Sequence, residues 1–139
     1  MKKITIICFL IFVNSIYGQE FNQHQLNNRV VLILTNNIKS EVFKQQLKAF
    51  NKPTKEFKER KIVSYVLLPA NYQLGHPSKN WIINQEIFNE FKKTDKEFEV
   101  ILIGLDGDVK LRETEFLSTE RLFTIIDTMS MRKREIRIR

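Results

Sequence analysis

The chain has 139 residues, 42% of them hydrophobic and 28% charged, and a formal net charge of +7. That is enough chain for one hydrophobic core and not comfortably for two, and no internal repeat, glycine-serine linker or low-complexity block divides it. One cysteine excludes an intrachain disulfide, and with four glycines there is no Walker-type run, dinucleotide fingerprint or serine elbow.

Residues 1–18 have the three parts of a secretory signal: Lys2 and Lys3, an apolar stretch over residues 4–13, and a short polar run to Gly18, after which cleavage is expected. The apolar stretch is about half the ~20 residues needed to span a bilayer, so it targets rather than anchors. Cys8 lies inside that stretch and not directly after it, where a lipid-bearing cysteine would stand. Removing the signal takes away the cysteine and two lysines, leaving a basic mature chain of charge +5 with no thiol. A periplasmic or extracellular home is expected, without thiol oxidoreductase activity or a cysteine-ligated metal.

Residues 19–28 are polar, rich in Gln and Asn, and read as a flexible lead-in. Arg29-Val-Val-Leu-Ile-Leu34 is a continuous apolar run, the pattern of a strand covered on both faces. Asn36 and Asn37 stop it and are placed to cap a helix over residues 38–50, with Phe43, Leu47 and Phe50 as its buried stripe. A charged approach over residues 55–61 leads to a second strand at 62–68, ended by Pro69. Strand, helix and strand in this order make a βαβ unit with parallel strands. Residues 69–81, with His76 and Pro77, read as a long loop, Trp81 as core packing, and Ile83, Ile87, Phe88 and Phe91 as a second helix. Phe98 to Gly104 and Val109 to Arg112, around Asp106-Gly107, predict a β-hairpin whose alternating second strand lies at the sheet edge. Ser118 caps a last helix carrying Leu122, Ile125, Ile126 and Met129. The order β-α-β-α-β-β-α predicts an α/β fold, a single thioredoxin-like domain over residues 29–139 with a mixed four-stranded sheet, the alternative being a different α/β sandwich with the same element order.

Three segments look familiar: Leu102-Ile-Gly-Leu-Asp-Gly-Asp-Val-Lys-Leu-Arg112, Leu122-Phe-Thr-Ile-Ile-Asp127 and Met129-Ser-Met-Arg-Lys-Arg-Glu-Ile-Arg137. In them the chain resembles a bacterial family of exported domains of unknown function, related to domains in vertebrate secreted coiled-coil-domain-containing and sushi-repeat-containing matrix proteins. The resemblance implies a thioredoxin-like fold outside the cytoplasm and brings no catalytic residue. The family pattern often has proline where this chain has Ser130, and again just ahead of the third strand, where it has residues 94–97.

In redox-active proteins of that fold the nucleophile sits between the first strand and first helix, where the helix N-terminus favours a thiolate. The matching stretch here holds Thr35, Asn36, Asn37 and Ser40 and no sulfur, so it reads as turn and cap, with a ligand or anion pocket as its functional alternative. His24 and His76 are not at metal-ligand spacing, and Asp106-Gly107-Asp108 lacks the other oxygens of a calcium loop, so no metal and no cofactor are expected. The basic end from Arg132, with Arg134 and Arg137, is the remaining anomaly; Lys110 and Arg112 extend it as a candidate surface for an acidic envelope component or protein partner. Nucleic acid is not expected, because no aromatic-and-basic motif accompanies the charge. The leading expectation is an exported, redox-inactive binding module. The alternatives are an enzyme using polar groups at 35–40 and 69–81, and a structural protein held to the envelope by its basic end.

Overall fold

A computed structural model describes residues 19–75 and 80–138; the signal read in residues 1–18, and His76 and Pro77, lie outside the described residues. In chain order the elements are α1 (Gln19–Asn22), β1 (Arg29–Thr35), α2 (Glu41–Asn51), α3 (Thr54–Glu59), β2 (Ile62–Leu67), β3 (Asn71–Leu74), β4 (Ile82–Ile83), α4 (Glu86–Phe91), β5 (Phe98–Ile103), β6 (Val109–Glu113), α5 (Thr119–Asp127) and α6 (Ser130–Arg137). The strands form one mixed sheet in the order β4-β3-β2-β1-β5-β6.

The continuous apolar run of β1 is explained by its position. It pairs in parallel with β2, Arg29 facing Ile62, and antiparallel with β5, Leu34 facing Glu99. Successive side chains point to opposite faces, so Val31 and Ile33 enter one core while Val30, Leu32 and Leu34 enter another. Phe43 and Phe50 of α2, Phe57 of α3, and Leu122 and Ile126 of α5 cover the first face. Phe21 of α1 and Ile87 and Phe88 of α4 cover the second. Each such buried phenylalanine contributes about 1.5–3 kcal/mol relative to exposure. Phe57 meets Phe50 and Phe123 edge to face, with ring centroids 5.6 and 5.8 Å apart.

The four expected strands are present as the run β2-β1-β5-β6, but the sheet has six, and the long loop expected at 69–81 supplies the other two. Leu68 and Asn71 exchange backbone hydrogen bonds of 2.8 and 3.3 Å around Pro69-Ala70. What reads as a strand stop is therefore a tight turn, and β3 returns antiparallel to β2 with Tyr72 buried against Tyr65. Ile83, expected on the second helix, lies on β4 and is 85% exposed; Trp81, expected in the core, is also exposed. The second helix starts later, where Asn84 Oδ1 accepts from the amides of Glu86 and Ile87 at 3.0 and 3.2 Å.

Two stretches read as solvated are packed. Residues 55–61 contain most of α3, with Phe57 in the core. The segment read as a lead-in carries α1 with buried Phe21, and the Leu26 amide donates to the Leu105 carbonyl at 2.6 Å. Single apolar residues hold each stretch, too sparse to stand out from their polar neighbours. The stripe of α2 also differs: Leu47 is half-buried, whereas Gln46 is fully buried and its amide joins both the N–H and the carbonyl of Leu117, each at 2.8 Å. The β5–β6 hairpin forms as expected, with Gly107 at φ +87° and β6 at the sheet edge. Ser118 caps α5, and the basic end is a separate helix, α6.

Candidate functional site

The two ends of β1 hold the polar groups that matter. At its C-terminal end Thr35 is buried, and its hydroxyl accepts from the Asn37 amide at 3.0 Å and lies 3.2 Å from the Asn37 carbonyl, to which it donates. Asn37 Oδ1 accepts from the Lys39 amide at 3.0 Å, and Ser40 Oγ accepts from the Phe43 amide at 3.4 Å. The helix cap expected of Asn36 and Asn37 is thus made by Ser40, because the chain needs one more turn after β1 before α2 begins. Asn36 is exposed, and its amide donates to the Glu97 carbonyl at 3.3 Å. This turn satisfies itself.

Close by, on the second face of the sheet, lies Glu99, fully buried on β5. Its carboxylate accepts from the Thr94 amide and hydroxyl at 2.9 and 2.6 Å, lies 3.0 Å from Lys92 Nζ, and is paired with Arg112. Burial alone would raise its pKa; the donors of Thr94, Lys92 and Arg112 outweigh burial and hold it at about 2. Arg112, a candidate for an outer basic surface, is therefore committed inward, and it also donates to the Phe91 carbonyl at 2.9 Å. Lys110 pairs with Asp106 across the hairpin turn.

At the N-terminal end of β1 the charges are arranged differently. Arg29, buried to 1% exposure, donates through Nη1 to the Arg60 carbonyl at 2.8 Å and to Glu135 at 3.4 Å. Arg132, also buried, reaches Asp127, Glu135 and the Glu59 carbonyl, while Arg60 grips Asp127 at 3.0 and 2.8 Å and lies over the Phe123 ring. Lys61 stands 3.6 Å from Glu135. Burial raises the carboxyls of Asp127 and Glu135, but Arg60 and Arg132 at the first, and Arg29 with Arg132 and Lys61 at the second, bring both below the usual range. Four cations share two carboxylates, and Arg29 Nε and Nη2 are buried with no acceptor among the described residues.

Arg29 forms part of the wall of a pocket of about 430 Å³, within the range of small-molecule sites. The hairpin contributes residues 104–106 and Lys110, α5 contributes Ile125, and residues 128–131 lead into α6. All three segments that carry the family resemblance meet here. On the opposite face a pocket of about 230 Å³ includes His24 and Glu90, whose carboxyl is raised by burial, partly offset by Lys93.

The candidate residues therefore separate. Thr35, Asn36, Asn37 and Ser40 share one turn, Arg112 belongs to the Glu99 cluster, and Arg132 is buried in the α6 cluster. Arg134 and Arg137 remain exposed on α6, and Lys110 alone of the set lines the larger pocket. Sequence reasoning missed Arg29 and the 129–131 turn. A cation heading an otherwise apolar strand was the available signal. No group of three His, Cys, Asp or Glu among the described residues is placed to hold a metal ion, and no helix among them is long and apolar enough to cross a membrane.

A family model matches residues 20–135, from α1 into α6, and so covers every strand described. The chain belongs to the family described as Domain of unknown function (DUF4174). No curated protein matches it.

Proposed function

We propose that the protein is an exported, redox-inactive binding module on a thioredoxin-like scaffold. The scaffold reading is supported by the parallel β1–β2 pair joined through α2 and α3, followed by the β5–β6 hairpin and α5. Export is supported by the charged and apolar pattern of residues 1–18. The observation that carries the non-catalytic reading is the Thr35–Ser40 turn. It holds no thiol, and the Thr35, Asn37 and Ser40 side chains are spent on the turn and the helix cap rather than converging on open space. A nucleophile there would need a base to activate it, and among the described residues no His, Asp or Glu side chain bonds to the Thr35 or Ser40 hydroxyl.

The purified protein is expected to reduce insulin disulfides and consume peroxide no faster than buffer. Enzyme-like rates in either assay would remove this reading. The mass of the chain recovered from the envelope or medium is expected to match a start at Gln19, and retention of Cys8 in the exported molecule would contradict the thiol-free account.

A further inference from the structure

We propose that the pocket between the start of β1, the β5–β6 turn and the start of α6 binds a phosphate-class oxyanion, as free phosphate or as a phosphate monoester. This deepens the binding-module reading; its failure would leave that reading standing with another ligand, whereas the redox assays above test the reading itself.

Arg29 carries the argument. Its Nη1 is occupied by the Arg60 carbonyl and Glu135, and the two nitrogens left, Nε and Nη2, form the side-on edge of the guanidinium. That edge delivers two parallel N–H bonds and matches two oxygens of one anion. A buried charged donor without an acceptor is costly, and Arg29 helps to form the pocket wall, so an anion that reached this edge would be rewarded by more than its own hydrogen bonds. The surroundings add attraction, since among the described residues Arg29, Arg60, Lys61 and Arg132 make their side-chain ion pairs with two carboxylates, Asp127 and Glu135.

A second set of donors lies in the same wall. The residue preceding α6, Met129, provides no side-chain cap, unlike Ser40 at α2 and Ser118 at α5. The first amides of a helix have no partner within it and carry the positive end of its dipole. Residues 129–131 line the pocket, as does Lys110 from the hairpin. Asp106 also lines it, but its carboxylate faces Lys110 and the Asp108 amide. Arg29, the start of α6 and Lys110 contribute to the pocket wall from three elements. A tetrahedral anion has oxygens for all three, whereas a planar carboxylate has two. Ile125, Met129 and Met131 leave an apolar part of the wall for an organic group attached to the phosphate.

The test is calorimetric titration and thermal unfolding of the protein with inorganic phosphate, phenyl phosphate, sulfate and acetate at constant ionic strength. Saturable binding and a rise in Tm are expected with the two phosphates, with acetate at least about tenfold weaker; the tighter of the two phosphates tells whether the free ion or a monoester is the source. Arg29→Lys keeps the charge and loses the side-on edge, and is expected to weaken phosphate about tenfold or more. Should that variant not fold, Lys110→Glu, at an exposed strand position, is expected to weaken it similarly, while Lys48→Glu on the far side of α2 leaves it unchanged. Absence of saturable phosphate binding, acetate binding as tight as phosphate, wild-type affinity in Lys110→Glu, or equal loss in Lys48→Glu would each overturn the proposal.

Discussion

The two ends of β1 hold buried charge in opposite ways. Near Thr35, Glu99 is met by two Thr94 donors, Lys92 and Arg112, and the adjoining turn closes on itself. At Arg29, four cations divide two carboxylates and a guanidinium edge is left over, beside a pocket. A satisfied network fixes structure, because every group removed strands its partners. An unsatisfied one holds donors that can serve something from outside.

The contrast can be broken most forcefully at Glu99. Glu99→Ala strands Lys92 and Arg112 and is expected to lower unfolding free energy by about 3–5 kcal/mol, measured by urea denaturation; a loss under about 1 kcal/mol would show the network to be decorative. Acid should reveal the same group. Its folded pKa of about 2 lies below the ordinary carboxylate value, so its contribution is present above about pH 4.5 and is lost as pH falls toward 2, amounting to about 3 kcal/mol. Asp127 and Glu135, also lowered, act in the same direction. Stability followed from pH 7 to 2 is expected to fall with a slope that Glu99→Gln reduces. Arg29→Met, in buffer free of phosphate and sulfate, should cost only about 1–2 kcal/mol, because it removes an incompletely satisfied ion along with its bonds. A loss as large as that of Glu99→Ala would erase the distinction between the ends. Ser40→Ala should cost about 1 kcal/mol through the lost cap and leave phosphate binding unchanged; an effect on binding would return function to the Thr35 end.

Much of the fold was legible because the central strands are covered on both faces, which forces unbroken apolar runs at 30–34 and 100–103. The Asp106-Gly107 turn was legible for a steric reason, the positive φ that glycine adopts freely. β3 and β4 were hidden because Pro69-Ala70 marks a turn and a strand end alike, and because β4 exposes its two isoleucines where a strand of this sheet would be expected to bury them. The charged clusters were hidden for a different reason. Arg112 lies on an alternating edge strand and Arg132 in a basic run, and both patterns describe solvated side chains as well as they describe buried ones. Only the partners distinguish the two: Glu99 and Asp127 belong to other elements, and Glu135, three residues on in α6, reads equally well as a solvated helix-face pair.

The central claim is that the Arg29 end of β1 is the receptive one and the Thr35 end is closed. Backbone and arginine side-chain amide NMR during phosphate titration tests it most directly. Saturable shifts at Arg29 Nε, Ser130 and Met131, with Asn36, Asn37 and Ser40 unmoved, are predicted. Shifts centred on residues 35–40, with the Arg29 Nε resonance unchanged, would contradict the account.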